Sequence, residues 1–103
     1  VAEETKNIKT TVYVDPEIKQ FLPEYIENRK KDTAAILEML KKNDFLNIKT
    51  LGHRMKGSGK LYCLEEVSKI GAKIETAANM SRNDEIEKLC QELLVYLNNL
   101  EVK

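Results

Sequence analysis

The chain has 103 residues, 42% hydrophobic and 33% charged, enough to bury one core and too few for two domains. Lys and Arg number 17 and so do Asp and Glu. That balance excludes a global field for nucleic acid or an anionic membrane and leaves only a local basic patch as a possible charged site. With no Trp, two Phe and four Tyr, base-stacking platforms are poorly supplied, and no run of about 18 apolar residues is present to cross a bilayer.

Residues 1–14 are mixed and polar, with one short alternating piece, "IKTTVYV", and are expected to form an extended or flexible lead-in. "DPE" at 15–17 predicts a helix start, with Asp15 as cap and Pro16 in the first helical position. A second start at Pro23 predicts a short lead-in helix ahead of a long one. Leu22, Ile26, Thr33, Leu37 and Leu40 follow helical spacing as far as "KKND". Asp44 caps the next run, which carries Phe45, Ile48, Leu51, Met55 and Tyr62 on one face. Leu64, Val67, Ile70, Ile74 and Ala78 mark a third run. Ile86, Leu89, Leu93, Tyr96 and Leu100 mark a fourth, capped by Asn83 or Ser81.

No strand-like run is expected after residue 14. Four amphipathic helices of about fifteen to twenty residues on short links predict an all-α fold: an antiparallel up-down four-helix bundle over 15–103, closed within one monomer. The absence of a signal-peptide pattern, with Cys63 and Cys90 read as reduced thiols, predicts a cytoplasmic protein.

The segment "GHRMKGSGKLY" at 52–62 holds the sole histidine and three of the four glycines. A phosphate-binding loop would need G-x-x-x-x-G-K-[ST]. From Gly52 the spacing reaches Gly57 but meets Ser58 where Lys belongs. From Gly59 and Lys60 backward, Arg54 replaces the first Gly and Leu61 the Ser or Thr. No strand precedes the segment either, so it is read as helix.

On a helical wheel His53 points roughly 150° from the apolar direction, and Lys49, Lys56 and Lys60 lie within roughly 60° of it. Gly57 sits one turn above the histidine, facing outward. Each glycine costs a helix about 1 kcal/mol relative to Ala. Gly52 and Gly59 fall toward the core face, where small residues let helices approach closely. At Gly57 packing gives no such reason, whereas a flat surface that lets another protein come close to His53 does. A lone exposed histidine or a row of surface lysines is ordinary by itself; their combination on one face points to a site.

A neutral imidazole is a competent nucleophile near pH 7 and can take a phosphoryl group as a phosphoramidate. Lys56 and Lys60 would offset the negative charge transferred. A carboxylate holding the other ring nitrogen would fix the tautomer, and Glu75, on the flank of the following helix, is the candidate.

"HRMKGSG" at 53–59 followed by "VSKIGAKIE" at 67–75 resembles the histidine-containing phosphotransfer domains of bacterial phosphorelays, whose signature is H-x-x-K-G and then a small residue on the second helix of a four-helix bundle. The resemblance runs from about Val14 to Leu100. It implies that His53 accepts the phosphoryl group, that Lys56 lies beside it, and that Gly57 gives the partner room. It also implies that Glu75 hydrogen-bonds the histidine. It further implies response-regulator receiver domains as partners, with a hybrid histidine kinase as a possible source. The domain would have no cofactor of its own, because the receiver brings the Mg²⁺, and it would be a carrier rather than an autokinase. Surface residues Lys49, Arg54 and Lys60 are expected to set partner choice. One departure is Cys63, which stands where the family commonly has Gly ten residues after the histidine.

Three other readings compete. A non-catalytic helical adaptor could use the same face for binding alone. A metal site from His53, Cys63 and Cys90 has too few ligands at unhelpful spacings. A dimerising kinase hairpin is disfavoured because Arg54 stands where an acidic residue usually follows the kinase histidine.

Overall fold

A computed structural model describes residues 9–103. The part of the expected lead-in at 1–8 lies outside the described residues. The remainder is mostly helical, in the order β1 (Thr10–Val12), α1 (Pro16–Lys19), α2 (Leu22–Lys41), α3 (Phe45–Leu61), α4 (Glu65–Asn79), α5 (Asn83–Asn98) and β2 (Leu100–Val102). Among the described residues the fold is all-α apart from one small strand pair. Each long helix packs on its chain neighbours, and α2 also packs on α5. The core between them holds Leu22, Ile36, Ile48, Met55, Val67, Ile74, Ile86 and Leu93, all fully or almost fully buried.

Local chemistry explains most boundaries. Pro16 and Pro23 each occupy the first turn of a helix, where the missing N–H has no intrahelical acceptor to lose. Asp44 caps α3 by accepting from the Asn47 amide at 3.4 Å, while Asp15 precedes α1 without a side-chain cap bond.

The three links between long helices share one device. Asn43, Cys63 and Ser81 sit just past their helices with φ of 55°, 63° and 53°. In each case the next amide reaches back to an orphan carbonyl: Asp44 to Met39 at 2.9 Å, Leu64 to Gly59 at 2.8 Å and Arg82 to Ala77 at 3.0 Å. The left-handed residue that makes this possible is usually glycine, and here it never is.

Four expectations need correction. A strand does occur after residue 14: Leu100–Val102 pairs in parallel with Thr10–Val12, Thr10 opposite Leu100 and Val12 opposite Val102. Leu100 therefore does not continue the last helix. That helix stops at Asn98, the Asn99 side chain donates to the Val95 carbonyl at 2.7 Å, and the chain turns into extended backbone.

Neither Asn83 nor Ser81 caps α5. Ser81 is already the left-handed end of α4, Asn83 is the first helical residue, and Arg82 stands at the cap without a side-chain bond. On α2 the buried positions are Tyr25 and Ile36 beside Leu22, Thr33 and Leu40, while Ile26 and Leu37 are only half-buried. Tyr25 can be buried because its hydroxyl shares a hydrogen bond with Ser58 Oγ at 2.7 Å and its ring stacks on Tyr62 with centroids 4.2 Å apart.

Candidate functional site

Residues 52–61 are helical throughout, as part of α3, and the element that leads into α3 is the helix α2, not a strand. The segment is therefore a helix face and not a nucleotide loop. His53 is well exposed, at 70% of its side-chain surface, and lines neither the depression beside Thr10, Tyr13 and Tyr96 nor the one beside Phe21, Tyr25 and Ser58.

Three side chains meet at this point. His53 Nδ1 lies 3.0 Å from Glu75 Oε2, and Lys56 Nζ lies 3.9 Å from Glu75 Oε1. Where the carboxylate is ionised and the ring neutral, the carboxylate can only accept, so Nδ1–H donates and the lone pair falls on Nε2. Glu75 is the sheltered member, 20% exposed against 70% for His53 and 50% for Lys56. The hydrogen bond is thus anchored from the protein side and open on the solvent side.

The reach of Glu75 across to α3 depends on how closely the two helices run. A Cβ on Gly71 of α4 would stand 2.7 Å from the Lys56 amide nitrogen and 2.7 Å from Met55 Cβ. Real side chains do not tolerate such distances, so glycine is what lets the backbones touch. Gly59 sits still more tightly against the Ser68 backbone. Gly57 is the contrast: among the described residues nothing lies within 4 Å of the position its Cβ would take. Its helix-propensity cost has no packing counterpart among those residues.

Around the triad, Arg54 and Lys60 are exposed and Lys49 is partly so. With Lys56 they give a locally basic face on a chain of zero net charge. Two leucines, Leu46 and Leu61, lie 74% and 71% exposed at the two ends of α3.

The two cysteines do not join this site. Both are free, Cys63 exposed and Cys90 in the core. Burial, with a smaller contribution from the Glu87 charge, pushes the Cys90 thiol up to about 12. Among the described residues no group of three or more His, Cys, Asp and Glu side chains is placed to hold a metal ion, and no described helix is long and apolar enough to cross a membrane.

Sequence reasoning missed Gly71 and Ser68, the two α4 residues that contact the Lys56 backbone. "VSKIGAKIE" carries a signal for Gly71, since a glycine within an amphipathic helix usually has a packing reason. No family model, no curated protein and no solved structure matches the chain.

Proposed function

We propose that this domain is a phosphoryl carrier of the histidine-containing phosphotransfer type, accepting a phosphoryl group on His53 and passing it on. The observation that carries the reading is the His53–Glu75 hydrogen bond on an otherwise open basic face. His53 is 70% exposed, unlike a buried structural histidine, and the Glu75 carboxylate behind it is 20% exposed, which favours a held ring over a merely solvated one.

The chemistry balances on these groups. Nε2 of the neutral ring attacks the phosphorus of an aspartyl phosphate, the N–P bond forms, the acyl P–O bond breaks, and the partner's carboxylate leaves with the electron pair. The ring gains positive charge while retaining its Nδ1 proton, which Glu75 Oε2 accepts as a hydrogen bond. Lys56 and, farther along the face, Lys49 and Lys60 oppose the charge of the incoming group. Transfer to a second receiver reverses these steps. The partner brings the Mg²⁺ and the acidic site. The chain acts as a carrier rather than an enzyme, in a cytoplasmic relay and as a monomer. Packing of each long helix on its neighbours, with α2 against α5, supports reading the four as an antiparallel up-down bundle.

The test is phosphoryl transfer from a panel of radiolabelled, phosphorylated receiver domains with Mg²⁺, using wild type and His53→Gln. The expected result is acid-labile, alkali-stable label on the wild type and none on the variant, at equal thermal stability. Glu75→Ala is expected to accept label slower by on the order of tenfold to a hundredfold, as when a carboxylate that orients a histidine is removed. Folded wild type that binds a receiver yet takes no label from any of the panel would replace the carrier with a non-catalytic adaptor.

A further inference from the structure

The α3–α4 seam is tied by a side chain as well as by its glycines. Ser68 of α4 is 4% exposed, and its Oγ donates to the Lys56 backbone carbonyl at 2.6 Å. That carbonyl lies within α3, where the helical ladder already offers it the Lys60 amide. The carbonyl therefore does not need the hydroxyl for satisfaction, and an alanine at 68 would meet the apolar demands of a buried position without a polar atom to satisfy. What the hydroxyl adds is a directional bond from one helix to the other, at the turn that carries Lys56. Three residues further along α4, the Gly71 site abuts the amide of the same Lys56. One residue of α3 is thus bonded at its carbonyl and closely approached at its amide by successive turns of α4, and Glu75 follows on the next turn. A slip of one residue rise, about 1.5 Å along the axis, would stretch the 3.0 Å contact between Glu75 Oε2 and His53 Nδ1 to roughly 3.4 Å and tilt it, past the usual N–H···O range, and so weaken the bond.

We propose that Ser68 is a positioning residue whose bond to the Lys56 carbonyl sets the register of α4 on α3 and so keeps the proton of His53 on Nδ1. Its catalytic meaning rests on reading His53 as the phosphoryl acceptor, but its structural effect can be read without any phosphoryl donor. The measurement is the ¹⁵N imidazole shifts of His53 at a pH where the ring is neutral, which give the ratio of Nδ1–H to Nε2–H tautomers. Glu75→Ala gives the ratio of an unassisted ring. Thr33→Val is the matched control, because Thr33 is also buried and its hydroxyl donates to a helix carbonyl, that of Arg29 at 2.7 Å, but within α2.

The expected result is a fall of about fivefold or more in the Nδ1–H to Nε2–H ratio for Ser68→Ala, the factor one net hydrogen bond carries. Thr33→Val should leave the ratio at the wild-type value. Ser68→Cys, which retains a weak donor, should fall between wild type and Ser68→Ala, and it decides the matter if the alanine variant does not fold. An unchanged ratio in the Ser68 variants, whatever their melting temperatures, would reduce Ser68 to a packing residue. An equal loss in Thr33→Val would do the same. If the ratio shifts as expected while no receiver labels His53, the positioning stands and the carrier reading fails alone.

Discussion

Gly52 and Glu75 meet backbone to backbone: a Cβ on Gly52 would stand 2.8 Å from the Glu75 amide nitrogen and 2.9 Å from the Gly71 carbonyl oxygen. Both obstacles are main chain and cannot swing aside, so an alanine there must part α3 from α4. Gly52→Ala is expected to lose about 3 kcal/mol despite its better helix propensity, which places it at the severe end of overpacking. Thermal unfolding should show a drop of more than about 8 °C. The His53 ¹⁵N shifts should lose their Nδ1–H character in whatever fraction remains folded.

Gly57 predicts the opposite combination. With no described residue within 4 Å of its missing Cβ, Gly57→Ala is expected to be sterically free. It should stabilise α3 by about 1 kcal/mol and raise the melting temperature by about 4–8 °C. If the flat surface beside His53 serves a docking partner, the same variant should accept phosphoryl label slower by about tenfold or more, because small misplacements at a reacting centre are costly. A stabilised variant with undiminished transfer would show that Gly57 has no part in docking.

Cys63 occupies left-handed backbone at φ 63°, where a residue with a Cβ is held at a cost of about 1–2 kcal/mol. Cys63→Gly should therefore stabilise the fold by about 1 kcal/mol, the relief being partly offset by a more flexible unfolded chain. Chemical denaturation should move to a higher midpoint at unchanged slope. Position 63 thus keeps the backbone that glycine favours, and the cysteine side chain adds to its cost.

Alkaline pH should erode stability through one buried and one half-buried group, Cys90 and Tyr96. Burial, then the Glu87 charge, pushes Cys90 from 9.0 up to about 12, and burial, then the Glu66 and Tyr25 charges, pushes Tyr96 from 10.0 up to about 12. Between those limits the folded chain retains protons that the unfolded chain has released. The unfolded state binds fewer protons, and stability falls as pH climbs from about 9 toward 12. Denaturation midpoints measured against pH should decline over that window, and Cys90→Ala with Tyr96→Phe should flatten the decline. A thiol reagent should modify Cys63 in the native protein and reach Cys90 only on unfolding.

How much of this was legible in the sequence depends on how local the signal was. The long helices could be read because their apolar residues recur at helical spacing, and the outward direction of His53 follows from the same periodicity. The core-facing placement of Gly52 and Glu75's position on the flank of α4 were also readable from the wheel. The exchange of Ile26 and Leu37 for Tyr25 and Ile36 was not, because it turns on a hydroxyl bond to Ser58, 33 residues away. Leu100 kept the helical period and still became strand, because the competing partner, Thr10, lies at the other end of the chain. Ser81 looked like a cap because serine favours caps. Its left-handed role is set by the return bond from Arg82 to Ala77, which no pattern within the preceding helix announces. The Ser68–Lys56 bond likewise joins two helices whose register only tertiary packing defines.

The parallel pairing of β1 with β2 has a mechanical meaning. Thr10 donates to Asn99 at one end of the ribbon, and Lys103 and Val12 share a bond at the other, followed by Val14 to Lys103. A pull applied at residue 9 and at residue 103 draws the two strands past each other along their length, loading their hydrogen bonds together in shear instead of peeling them one at a time. Tension passed along the polypeptide would thus meet its first resistance in this short ribbon, with the ribbon taking the load before α3, α4 and the His53 face between them are disturbed.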